Sequence, residues 1–349
     1  MTTAQQADSL LEWRQPTQTS NRFTDRDAAL AWFDDEMLNL TTAVTGAVAS
    51  GRPEAGIGLA TALNEYLHRC LAFPMAVAVH EASFACAVHI GSLEGRAKSL
   101  NNLGIAYTEV ERYEDAITAF TLAEEAFADL GDRFERGKTL NGLGNALRHA
   151  EQVRQAAQVH QEALRIQREV GGDSEQASTL NNLSLDHQSL DEHPQALRHA
   201  TEAALLYAQL DDREKESKAR CTMAAALKEM GRPQEALENY DRAIDAVHGR
   251  GSAHQEGVAL AAKGEVLALA LERTEDAVSC WTEAVKAFEQ TNERLLRVQV
   301  LMLLGLALAQ LQRHVEAMTH LHLAADLCRH LGMTEELEEV RNCLTLVGG

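Results

Sequence analysis

The chain repeats itself every forty residues, and this period constrains the fold more than any other feature. The string LNNLG at Leu100 to Gly104 returns as LNGLG at Leu140 to Gly144 and as LNNLS at Leu180 to Ser184. Small residues keep step behind it at Ala116, Ala156, Ala196 and Ala236, then Ala277 and Ala317. A second ladder runs through Ala123, Ala163, Ala203, Ala243, Ala284 and Ala324. A unit of this length cannot bury its own apolar face, so copies must stack on their neighbours, which predicts a solenoid. One continuous array is expected rather than two domains, with function on a long surface.

Within each unit the apolar residues fall at i, i+3 and i+7, as in Leu100, Leu103 and Tyr107 or Leu140, Leu143 and Leu147. That spacing marks one face of a helix. A short polar break follows, such as Val110-Glu111-Arg112-Tyr113, and then a second helix carries the alanine ladders. Pro74, Pro194 and Pro233 stand just ahead of ladder alanines, where a missing N–H costs nothing in a first helical turn. Gly231 suits a helix C-terminus, and Gly131-Asp132, Gly172-Asp173 and Asp211-Asp212 close the second helices. Each unit therefore reads as helix, tight turn, helix, looser turn. The ladder alanines, with Gly104, Gly144 and Gly264, predict close approach of paired helices. The sixth unit is one residue longer between Gly264 and Ala277, which predicts an irregularity in its hairpin turn.

Leu100-x-x-Leu103-Gly104-x-x-Tyr107, followed by Ala116-x-x-x-Phe120 and Ala123, resembles the tetratricopeptide repeat. The resemblance covers about residues 57 to 337 as seven units and implies an all-α superhelical solenoid of helical hairpins. The period of forty in place of thirty-four, and the missing closing Pro, resemble the long repeats of kinesin light chains and bacterial peptide-sensing regulators. Residues 1–21 are polar and aperiodic and are expected to form a flexible arm. Residues 22–56 are expected to cap the array, with Leu30, Phe33, Met37, Leu40 and Val44 on one helix face. Residues 338–349 are expected to hold the C-terminal capping helix and tail. The stretch Phe23 to Leu40, FTDRDAALAWFDDEMLNL, is similar to the segment that opens the repeat sensor in bacterial STAND-type transcription regulators, including the Streptomyces antibiotic regulatory proteins. That resemblance implies a sensor portion without its motor, in keeping with the lack of any GxxxxGK[ST] phosphate loop.

Bulk properties narrow the function classes. A formal charge of −20 disfavours a phosphate-backbone binder, so no nucleic-acid partner is expected. The longest apolar run, Leu301 to Leu308, is far short of a membrane span, and the N-terminus lacks a signal-peptide pattern, so a cytoplasmic location and no membrane partner are expected. The six cysteines are scattered, with no metal-ligand spacing, and no nucleophile motif such as GxSxG occurs. Neither a cofactor, a metal nor catalysis is expected.

In tetratricopeptide arrays the first helix of each pair lines the concave face, and the resemblance places Asn101, Asn141 and Asn181 there in three consecutive repeats. An amide offers both donors and an acceptor, so such a row can pair with the backbone of an extended peptide, as comparable residues do in the kinesin light chain relatives. The same residues could instead tie neighbouring helices together. Lys98, Lys138 and Lys218 precede the row by three residues, and Asn145, Arg148, Gln188 and Lys228 follow one or two turns later. Cations on that face would suit a carboxylate or an acidic peptide. The expected function is a protein- or peptide-binding scaffold, the sensing part of a bacterial signalling or transcription-regulatory system. A small-molecule sensor and a self-associating scaffold, with a homo-oligomer as its product, are the alternatives.

Overall fold

A computed structural model describes residues 26–291 and 293–348; the expected arm at 1–21 and the start of the Phe23 to Leu40 stretch lie outside the described residues. Where one array is expected, the contacts of the chain fall into two compact units, Met1–Gly172 and Asp173–Gly349. Both are built from antiparallel helix pairs, and no strand occurs among the described residues.

The first unit opens with α1 (Arg26–Thr45) and continues through three hairpins: α2 (Pro53–Arg69) with α3 (Phe73–His89), α4 (Leu93–Glu109) with α5 (Tyr113–Leu130), and α6 (Arg133–His149) with α7 (Val153–Val170). Phe33 of α1 is fully buried and stacks on Tyr66 of α2 with ring centroids 4.7 Å apart. The Tyr66 hydroxyl donates to Asp34, so α1 is fixed by both apolar and polar contact. The first hairpin begins at Pro53, four residues ahead of the repeat boundary read from the sequence, because Gly51 turns the chain at φ +68° and Pro53 starts the helix.

The second unit holds four hairpins and a final helix: α8 (Asp173–Ser189) with α9 (His193–Gln209), α10 (Arg213–Glu229) with α11 (Pro233–Val247), α12 (Ala253–Glu265) with α13 (Thr274–Glu289), α14 (Arg294–Gln310) with α15 (His314–Leu331), and α16 (Thr334–Gly348). The apolar run of α14 is core: Leu301, Leu304, Ala307 and Leu308 are buried. Helix α16 covers the last hairpin with Val340 and Cys343.

Every alanine of both ladders is fully buried. The glycines on the first helices explain how closely the pairs approach. A Cβ on Gly104 would sit 2.7 Å from the Phe120 ring, one on Gly144 2.4 Å from His160, and one on Gly264 2.5 Å from Trp281. Where the fourth repeat has Ser184 in place of glycine, the residue at the ring position shrinks to Ala200, and the serine hydroxyl donates to the Ala196 carbonyl at 2.7 Å. A larger residue on the first helix thus goes with a smaller one on the second, as close packing requires.

The tight turns share one geometry. Leu71, Glu111, Glu151, Asp191, Gly231, Glu272 and Gln312 all lie in the left-handed region, at the same register of successive repeats. The next N–H closes each turn on a carbonyl five residues back, as from Gln152 to Leu147 at 2.8 Å. In the sixth repeat the bond runs six residues back, from Arg273 to Leu267, because Val266–Ala270 forms a π-helical turn. The extra residue is therefore absorbed by the end of the first helix, not by the turn, which keeps its left-handed Glu272.

Candidate functional site

The residues singled out in the sequence lie on the first helices of consecutive hairpins. In the first unit, Lys98 and Asn101 stand on α4, and Lys138, Asn141, Asn145 and Arg148 stand on α6, which packs beside it. Asn101 is half-buried, and its Oδ1 accepts from the Thr139 hydroxyl of α6 at 3.0 Å. Asn141 is half-buried too, and its carbonyl lies 3.2 Å from Nε2 of the buried His160. Asn145 Oδ1 accepts from the Arg148 guanidinium at 2.9 Å, so these two form one polar group on the last turn of α6.

In the second unit, Asn181 and Gln188 stand on α8, with Lys218 and Lys228 on the neighbouring α10. Asn181 is only 6% exposed, and its Oδ1 lies 3.4 Å from the Thr222 hydroxyl. Gln188 Nε2 donates to the Thr222 carbonyl at 2.9 Å. On α8 these amides face the next hairpin. The amide on α4 does the same, with a more open side chain.

The lysines are largely paired within their own helices. Lys98 meets Glu94 at 2.6 Å, Lys138 meets Glu135 at 3.0 Å, and Lys228 meets Glu229 at 3.2 Å. Such largely exposed pairs are weak and exchange readily with an incoming anion. Lys218 is exposed and has no ion pair among the described residues. No group of three or more His, Cys, Asp or Glu among the described residues could hold a metal ion, and no described helix is long and apolar enough to cross a membrane.

A second polar cluster was not anticipated. Arg213, Glu216 and Arg220 share one face of α10 at i, i+3 and i+7, opposite Arg242 and Asp245 of α11 and Arg250 of the following loop. They line a cleft of about 330 Å³. Glu216 is buried and accepts from Arg213 at 3.0 Å and from Arg220 at 2.7 Å. Two residues before Arg250, His248 is 2.6 Å from Glu256, and this hydrogen bond raises the imidazole pKa above its ordinary value. The signal lay in the leucine ladder: Leu100, Leu140 and Leu180 give way to Arg220 before Leu260 resumes it.

Helical hairpins at a forty-residue period, paired through buried alanines and glycines, define an all-α repeat protein. A tetratricopeptide repeat family model matches residues 95–169, 135–209 and 175–247, so this stretch of the chain carries tetratricopeptide repeats. No curated protein sequence matches it. Among solved structures, it is similar to a Pyrococcus horikoshii STAND protein (a signal transduction ATPase with numerous domains) with a tetratricopeptide repeat sensor. The TM-score is 0.59 at 13% identity, over 90% of this chain and 54% of that one. A Rap protein complexed with Competence and Sporulation Factor aligns with TM-score 0.52 and 14% identity, over 91% of this chain and 97% of that one. BtubC (BKLC) from P. vanneervenii aligns with TM-score 0.55 and 16% identity, over 64% and 93%. At these identities the likeness is one of fold.

Proposed function

We propose that the chain is a scaffold that binds a protein or an extended peptide through the first helices of its hairpins, as the sensing part of a bacterial signalling or transcription-regulatory system inside the cell. The observation that carries this reading is the recurrence of Lys98 and Asn101 of α4 as Lys138 and Asn141 at the same register of α6, with Asn145 and Arg148 further along α6. Amides there pair with a guest backbone, and the cations meet its carboxylates. On the second unit Asn181, Gln188, Lys218 and Lys228 offer the same residue types, with Asn181 more buried than its counterparts. The fold likeness to a Rap protein solved with Competence and Sporulation Factor, and to a STAND protein with a repeat sensor, supports a regulatory setting.

The test is affinity capture from lysate of the source cells with the full chain and two variant sets. One carries Asn101→Ala, Asn141→Ala and Asn181→Ala; the other carries Lys98→Glu and Lys138→Glu. A specific partner lost from both sets, with the melting curve of the lysine set unchanged, supports the proposal. Equal recovery by wild type and both variants moves binding off these helices.

A further inference from the structure

We propose that the cleft between α10 and the end of α11 binds a phosphomonoester, with Arg242 and Arg250 gripping the dianion. This inference does not rest on the peptide reading, because none of its residues belongs to the amide and lysine row.

Local sequence explains why a cleft exists at this repeat. The second helices α5, α7 and α9 continue to Leu130, Val170 and Gln209, but α11 stops at Val247. The string His248-Gly249-Arg250-Gly251 ends it, with Gly249 at φ +69° and Gly251 at φ +86°. The helix turn that would have filled the space is missing, and Arg250 stands where earlier repeats carry Leu130, Val170 and Leu210. Across the gap, Arg220 occupies a register held by leucine in the repeats before and after it. Two apolar positions have become arginines that line one space.

The charges in that space are unequal in number. Four arginines and two carboxylates, Glu216 and Asp245, line it, a local balance of four minus two, or +2. Asp211 reaches Arg213 at 2.7 Å from outside the lining and trims this to +1. The surplus lies within a chain of charge −20. Glu216 is committed to Arg213 and Arg220 and holds both guanidiniums in place. The side chains of Arg242 and Arg250 are exposed and have no ion pair or hydrogen bond among the described residues.

Two guanidinium forks without partners call for an acceptor richer than one carboxylate. A phosphomonoester brings about −1.5 to −2 charge at neutral pH and three acceptor oxygens, enough for two forks to bind at once. Arginine suits such planar, paired recognition better than lysine does. The cleft volume of about 330 Å³ admits a small phosphate ester or a phosphorylated side chain.

The experiment is calorimetric titration of the full chain with glycerol phosphate, with a phosphoserine peptide and with succinate as a dicarboxylate control. The proteins are wild type, Arg242→Ala/Arg250→Ala and Arg242→Lys/Arg250→Lys. Saturable binding of a phosphate ester, weakened tenfold or more by the alanine pair and severalfold by the lysine pair, is expected. Binding of the small ester alone would assign a metabolite as the source, and binding of the peptide alone a phosphorylated protein; either outcome supports the site. Affinity unchanged in the alanine pair, succinate binding as tightly as the esters, or no saturation by either ester at millimolar concentration would overturn it. Both arginines are exposed, so circular dichroism of the variants should match wild type.

Discussion

The Thr139 hydroxyl of α6 donates to Oδ1 of Asn101 on α4 at 3.0 Å, across the boundary between successive hairpins. The carbonyl end of Asn101 thus ties the stack, while its amide N–H groups have no partner among the described residues. The two ends can be separated at the threonine, which is fully buried. Thr139→Val keeps the side-chain shape and the asparagine but removes the bond. It should cost about 1 kcal/mol in urea denaturation, the usual net worth of such a bond. Partner capture by the folded variant should persist; its loss would show that the hydrogen bond, rather than the amide N–H groups, governs the face.

Two glycines make opposite predictions for one substitution. Gly58 lies within α2 with nothing inside 4 Å of a built Cβ, so Gly58→Ala should stabilise the protein by up to about 1 kcal/mol through helix propensity. Gly144 lies within α6, where the same Cβ meets the ring of the fully buried His160 at 2.4 Å. Gly144→Ala should destabilise by about 1–3 kcal/mol, as overpacked cores do. Thermal melts of the two variants should move in opposite directions.

Much of this architecture was legible because a hairpin repeat writes its core register into the sequence. Leu100, Leu103 and Tyr107 identify a helix face, and Ala116 and Ala123 identify its partner; both helices form where the spacing places them. What periodicity reports is which residues share a face, and it is silent on what they meet. The bond between Asn101 and Thr139 spans thirty-eight residues and depends on how two helices are set against each other. The extra residue of the sixth repeat could be counted, but not assigned to turn or helix. The turn has its own favoured closure at Glu272, so the strain passes into the π-helical turn at Val266–Ala270. Arg220 was visible as a break in the leucine ladder, whereas its convergence with Arg250 depends on where α11 ends.

The left-handed turn residues offer a stabilising change. Glu151 sits at φ +61°, is exposed and has no side-chain polar partner among the described residues, while the equivalent position of the fifth repeat is Gly231 at φ +70°. A non-glycine residue pays about 1–2 kcal/mol there, part of which glycine returns as lost chain entropy on folding. Glu151→Gly should therefore stabilise by about 0.5–1 kcal/mol, and Gly231→Ala should destabilise by a similar amount. A fall in urea midpoint for Glu151→Gly would show that the turn carries no strain.

The pH dependence of stability should include a contribution from His80. The ring is 2% exposed on α3, with Nε2 3.1 Å from Asn64 Oδ1, and burial lowers its pKa to about 4 from an ordinary value near 6.5. The unfolded chain then binds a proton that the folded chain refuses. Stability attributable to the neutral ring is full above about pH 6.5, declines as the pH falls through the window, and levels off below about pH 4. A gap of this size corresponds to about 3 kcal/mol across the window. His80→Gln retains a polar group opposite Asn64 but cannot titrate. Urea midpoints measured from pH 7.5 to 4.5 should fall more steeply for wild type than for this variant. Parallel curves would mean that the buried imidazole is accommodated equally well in its charged form.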